Sequence, residues 1–184
     1  YGVAWKRTGK VIVATREEQL PQLQTILDRG RQNGVECSLI DTDRLKELEP
    51  HCAGIAAIHV PESGIVDYPG MCRTLGNLLL AAEAKIQLNT KVNAIEQRTD
   101  SVRLQTSQGD IEAAQVINCG GLHSDRIARQ SGQKMKERIV PFRGEYFELK
   151  PEAQHLCRTL IYPVPDPQFP FLGVHFTRMI HGGG

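Results

Sequence analysis

At Lys85 the apolar residues of this chain stop recurring at helical spacing and begin to alternate. Before that point, Leu20, Leu23, Ile26 and Leu27 mark one helical face, and Met71, Leu75, Leu78, Leu79 and Ala82 mark another. After it come short strand candidates at 86–88, 92–95, 102–104 and 111–117, separated by turns at Thr99-Asp100 and Gln108-Gly109. Beyond Gly132 longer strand candidates return, at 138–149, 159–164 and 171–180. A sheet layer near both ends with a different unit between them predicts α/β structure interleaved with α+β structure. The boundaries read from this pattern are 1–67, 68–131 and 132–184, with the first and last parts belonging together.

Local signals sharpen the reading. The run Gly-Lys-Val-Ile-Val-Ala-Thr at 9–15 is β-branched, and Thr15 with Glu18 has the spacing of a capping box, so a helix is expected to follow. Asn33-Gly34 supplies its left-handed stop. Asp41 caps a brief helix carrying Leu45 and Leu48, which Pro50 ends, and Pro69 suits the first position of the longer helix.

Composition excludes several classes. A net charge of +1 over 184 residues gives no concentrated basic surface for nucleic acid or an anionic membrane. Five cysteines, an odd number without a Cys-x-x-Cys pair, indicate a reduced, cytoplasmic protein, and no His/Cys spacing suits a metal. No run approaches the ~20 apolar residues of a spanning helix. The chain opens without methionine inside strand-like sequence, and reads as an internal piece of a longer protein.

Three segments carry candidate chemistry. Val-Ile-Asn-Cys-Gly-Gly at 116–121 reads as a buried strand running into paired glycines, which either make a tight strand-to-helix turn or let a ligand approach the backbone. The dinucleotide fingerprint Gly-x-Gly-x-x-Gly is not in the chain. Pro-Phe-Arg-Gly-Glu-Tyr at 141–146 offers Arg143, a bidentate carboxylate partner or else a surface partner of Glu145. In a regular strand Arg143 and Tyr146 face opposite ways unless Gly144 marks a bulge. In the third segment Tyr162 either hydrogen-bonds a substrate or caps a sheet edge, and the prolines at 163–171 predict a rigid loop. His175 and Thr177 then point one way, and Phe176 and Arg178 the other. An imidazole at 175 either takes a hydroxyl proton near neutral pH, to which it is suited, or is a structural histidine of the strand.

These words, with Glu49-Pro50, Pro-Glu-Ser-Gly-Ile-Val-Asp at 61–67 and Leu-His-Ser-Asp at 122–125, stand in the order seen in the L-2-hydroxyglutarate oxidases and dehydrogenases. The chain resembles those flavoenzymes of the D-amino-acid-oxidase-like superfamily over essentially its whole length. Gly120 stands where they usually carry alanine or serine. The resemblance implies FAD as cofactor, with Cys119, Gly120 and Gly121 lining it and Val92 near its adenine through the backbone. It implies a fragment of a Rossmann-like FAD-binding domain interleaved with an antiparallel-sheet substrate domain. It also implies oxidation of a small dicarboxylate, L-2-hydroxyglutarate to 2-oxoglutarate, by hydride transfer to flavin, with electrons passing to oxygen or a membrane quinone. On that reading His175 is the base, Arg143 and Arg178 hold carboxylates, and Tyr146 and Tyr162 orient the substrate. The whole protein is expected in the cytoplasm with peripheral membrane association, and the excised chain is expected to self-associate. The rivals are an amino-acid or glycerol-3-phosphate oxidising flavoenzyme and a binding module without catalysis.

Overall fold

In a computed structural model, which describes residues 1–166, 168 and 173–184, residues from the two ends of the chain share one sheet. The elements are β1 (Trp5–Arg7), β2 (Lys10–Ala14), α1 (Leu20–Gln32), β3 (Ser38–Ile40), α2 (Thr42–Leu48), β4 (Ala56–Val60), β5 (Gly64–Val66), α3 (Tyr68–Ala81), β6 (Val92–Gln97), β7 (Val102–Thr106), β8 (Gly109–Ala113), α4 (Ser124–Gln130) and β9 (Leu160–Pro163). Contacts divide them into one unit of residues 1–81 with 147–184 and a second of residues 82–146. These limits differ from those read in the sequence, and they leave α3 with the first unit.

The first unit is built on the sheet β3-β4-β2-β9, antiparallel except for the parallel pair β2–β9. Alternation along β2 sends Val11 and Val13 to one face and Ile12 and Ala14 to the other. Leu45 of α2 closes the first face with Ala57, and Leu23 and Leu27 of α1 close the second with Ile58 and Val164. Each fully buried leucine contributes about 2 kcal/mol of transfer free energy, so helices on both faces stabilise this sheet. Beside it, β1 and β5 form a two-stranded ribbon.

The helix ends follow from local chemistry. Gly34 takes a left-handed φ of 72° after α1. Asp41 accepts the Arg44 N–H at 2.8 Å to start α2. The cap before α1 differs from expectation: Oε1 of Gln19, not Glu18, accepts the N–H groups of Thr15 and Arg16 at 2.8 and 3.2 Å. A short 3-10 turn at Glu17–Gln19 shifts the register by one residue and swings Glu18 out toward Arg16. Asp67 accepts the Gly70 N–H at 3.0 Å ahead of α3, which begins at Tyr68, so Pro69 is its second residue. The apolar face of α3 buries no residue: Leu75, Leu78 and Leu79 are exposed.

The second unit is the meander β6-β7-β8, with α4 following it. The strands expected at 86–88, 115–117 and 138–149 do not form, because an extended segment becomes a strand only where another presents its backbone groups to it. The stretch expected at 171–180 begins on residues outside those described. From 173 onward it makes a single bridge, Phe176 to Ile161.

Candidate active site

That single bridge brings two predicted site residues together. Ile161 and Phe176 exchange both backbone hydrogen bonds, at 3.1 and 2.9 Å. In antiparallel pairing the next residues, Tyr162 and His175, then stand opposite one another with side chains on one face. Their rings stack, with centroids 4.8 Å apart and an interplanar angle of 19°. Tyr162 is thus on the edge strand β9, inside the strand expected at 159–164. Lys10 and Ile12 share its face through the register Ile12↔Tyr162, and the Lys10 ammonium lies 4.4 Å from the Tyr162 ring centroid. In the sequence Lys10 is only one residue of the run 9–15; the signal that marks it is the alternation that aligns it with Ile12.

His175 Nδ1 lies 3.0 Å from the Gly173 carbonyl oxygen. In the neutral ring Nδ1–H donates to that carbonyl, which leaves Nε2 as the lone-pair nitrogen.

Glu49 holds β9 in place. Its carboxylate is fully buried and accepts the Arg158 N–H with both oxygens at 3.0 Å, and the Thr159 N–H through Oε1. The neighbouring Cys157 thiol is pushed up to about 11, first by burial and then by the Glu49 charge, with Arg178 opposing. Arg178 Nη1 donates to the carbonyls of Gln154 and Cys157 at 2.8 and 3.2 Å. This guanidinium ties the tail to the turn before β9.

Arg143 and Tyr146 lie in the second unit, outside any strand. Arg143 pairs with Glu145 at 3.4 Å on the surface, and Tyr146 is 82% exposed. The strand on which their facing was argued is not formed, so the bulge at Gly144 has no ladder to interrupt.

The glycine segment is also in the second unit. Residues 114–120 are irregular, and Ile117 is 85% exposed, so the expected buried strand is replaced by an open edge. The segment borders a cleft of about 480 Å³ lined by Ile95, Val102, Val116, Ile117 and Ile127, among others. A Cβ at Gly120 would run into the Ile127 side chain of α4, so packing within the chain accounts for that glycine. Gly121 differs: its φ is 55° and a Cβ there would meet nothing within 4 Å. Val92 opens β6 opposite Thr106, beside a bulge. Asp125 of α4 is buried; burial raises its proton affinity, but hydrogen bonds from Arg129, Ile139 N–H and Arg126 N–H outweigh this and hold the carboxyl below the usual range. No group of three or more His, Cys, Asp or Glu side chains suited to a metal converges among the described residues.

The family profile described as FAD dependent oxidoreductase matches residues 1–183. The chain belongs to this family. The L-2-hydroxyglutarate dehydrogenase of Indibacter alkaliphilus is 46% identical over 183 residues, covering 98% of this chain and 46% of that protein. The mitochondrial L-2-hydroxyglutarate dehydrogenase of Homo sapiens is 40% identical over 194 residues, covering 98% and 42%. The chain thus spans about half the length of the curated relatives it matches. Among solved structures, the dithionite-reduced L-alpha-glycerophosphate oxidase of Mycoplasma pneumoniae with FAD bound superposes with a TM-score of 0.79 at 18% identity, over 99% of this chain and 49% of that one. The fold is the mixed α/β fold of the FAD dependent oxidoreductases. In a member of this family, the open backbone at Gly121, where a Cβ would meet nothing within 4 Å, fits the approach of a flat cofactor, and Cys119 beside it is exposed.

Proposed function

We propose that the natural-length protein is an FAD-dependent oxidoreductase that converts L-2-hydroxyglutarate to 2-oxoglutarate, and that this chain supplies the base. The observation that carries the base assignment is the cross-strand pair of Tyr162 and His175, with Nδ1 directed at the Gly173 carbonyl. The substrate class rests on the names of the relatives. When bound, FAD supplies the two-electron acceptor for the hydride leaving the α-carbon. His175 Nε2 takes the hydroxyl proton as that bond breaks, and the Tyr162 phenol orients the oxygen. Cys119, Gly120, Gly121 and Val92 are proposed cofactor contacts. Arg143, Tyr146 and Arg178 enter as substrate contacts on resemblance alone, since the partners seen for the two arginines are Glu145 and backbone carbonyls.

Five free thiols suit a reducing compartment, and the cytoplasm is the reading adopted, although the human relative's name places that protein in mitochondria. No described helix is long and apolar enough to cross a membrane. Oxygen uptake with and without a quinone analogue decides between the two electron acceptors.

The test is anaerobic addition of L-2-hydroxyglutarate, then its D enantiomer, to natural-length protein while the oxidised-flavin absorbance is followed. Bleaching by the L form alone is expected. A protein that holds flavin and is bleached by neither defeats the substrate assignment and leaves the family intact.

A further inference from the structure

We propose that Lys10 is the residue that recognises the substrate carboxylate remote from the reacting carbon. This rests on the reading of the site given above, and it adds a residue that the motifs did not supply. Lys10 is the first residue of β2, half-buried, on the sheet face that carries Ile12 and Tyr162. Its ammonium is 4.4 Å from the Tyr162 ring centroid, and the same ring stacks on His175 at 4.8 Å. Two sheet registers, β2 with β9 and β9 with the tail at Phe176, are needed to assemble this trio.

The charge on Lys10 lacks a counter-ion. Among the described residues no carboxylate oxygen lies within 4.0 Å of Nζ. The face of a phenol ring satisfies an ammonium only in part, because a ring quadrupole is a weaker partner than an anion. The other basic candidates are already engaged: Arg178 donates to two carbonyls, and Arg143 pairs with Glu145 in the second unit. An anion arriving beside Tyr162 therefore meets Lys10. Because Tyr162 stands between Lys10 and the base in contact order, the carboxylate it takes is the distal one rather than that on the α-carbon. A five-carbon dicarboxylate would be preferred to its monocarboxylate analogue for this reason.

The test uses the natural-length flavoprotein and Lys10→Met, with Lys10→Gln as a second variant and flavin content as the check on folding. Expected for Lys10→Met is a KM for L-2-hydroxyglutarate raised roughly tenfold or more with kcat within about threefold. The kcat/KM for L-2-hydroxypentanoate, which lacks the distal carboxylate, should be unchanged, and Lys10→Arg should restore part of the loss. Calorimetric titration with glutarate and with pentanoate provides an arm that needs no turnover. Tighter binding of glutarate by wild type, abolished in Lys10→Met, supports the proposal even if no 2-hydroxy acid is oxidised. Equal loss on both substrates, an unchanged preference in the variants, or a wild type that does not distinguish glutarate from pentanoate would overturn it.

Discussion

Of the buried apolar side chains described, Val102 alone belongs to the second unit; the others, from Val11 to Val164, lie in the first. The first unit closes a four-stranded sheet between helices on its two faces. The second has a three-stranded meander, the seven-residue helix α4, and apolar residues such as Leu88 and Ile117 turned outward. A stable layer needs a second layer over its apolar face. The unit with that second layer holds β9, and Tyr162 with it, by packing and by the hydrogen bonds of the buried Glu49 carboxylate. The unit without it leaves the backbone open at Gly121 and the Cys119 thiol exposed. Its exposed apolar edge is also the physical ground for expecting the chain by itself to self-associate.

Glu49 is the strongest test of that contrast. If closure of the first unit depends on it, Glu49→Ala leaves the part-buried N–H of Arg158 and the buried N–H of Thr159 without an acceptor. Hydrogen bonds to a charged group contribute about 1.5–3 kcal/mol each, so a loss of about 3 kcal/mol or more is expected. Urea unfolding followed by circular dichroism should show the midpoint fall, and amide exchange at Leu160 and Ile161 should accelerate as β9 loosens. A wild-type midpoint would mean that the sheet, not the carboxylate, positions β9.

Most of what was legible in the sequence is local. The stop at Asn33-Gly34, the Asp41 cap and the β6-β7-β8 turns are set by residues within a few positions of each other, and each forms as read. What failed was lateral. The stretch 138–149 carries Ile139, Val140, Phe142, Tyr146 and Phe147, residues that favour a strand, yet no strand forms there, and nothing within the stretch says so. The parallel pairing of β2 with β9 joins residues about 150 positions apart, and Glu49 binds backbone 109 residues on, so neither leaves a mark in a short window. Glu49 stood out in the sequence only beside Pro50, as a word of the resemblance. His175 was singled out for its chemistry, but its partner became visible only with the register of Ile161 and Phe176.

In the second unit, Asp125 is the counterpart of Glu49 on a smaller scale. It takes the Arg129 guanidinium at 3.0 Å and the Ile139 N–H at 3.3 Å, so it pins the stretch after α4. Its folded value is lowered, so its contribution is complete above the unfolded carboxyl value of about 4 and is lost as pH falls below that. Amide exchange of residues 125–139 should therefore quicken on the acid side of pH 4 before the first unit opens. Asp125→Asn should show the quickened exchange at neutral pH, with a flatter acid dependence. If the two units lose protection together, they do not differ in local stability.

The smallest effect is kinetic and compares thiols. Cys72 in the first unit and Cys119 in the second are exposed, whereas Cys157 is buried, donates to the Thr159 carbonyl at 3.1 Å and is raised to about 11. At pH 8 roughly one Cys157 in a thousand is ionised, and only the thiolate attacks an alkylating agent. Iodoacetamide at pH 8, read by peptide mass spectrometry, should label Cys72 and Cys119 early and Cys157 about a hundredfold or more slowly. Glu49→Ala should speed labelling at Cys157 by loosening its cover and removing the charge that holds its proton. Added FAD divides the exposed pair: in natural-length protein it should slow labelling at Cys119 and leave Cys72 unchanged. If both slow equally, the cofactor is acting through global stability, and the assignment of Cys119 to its binding surface falls.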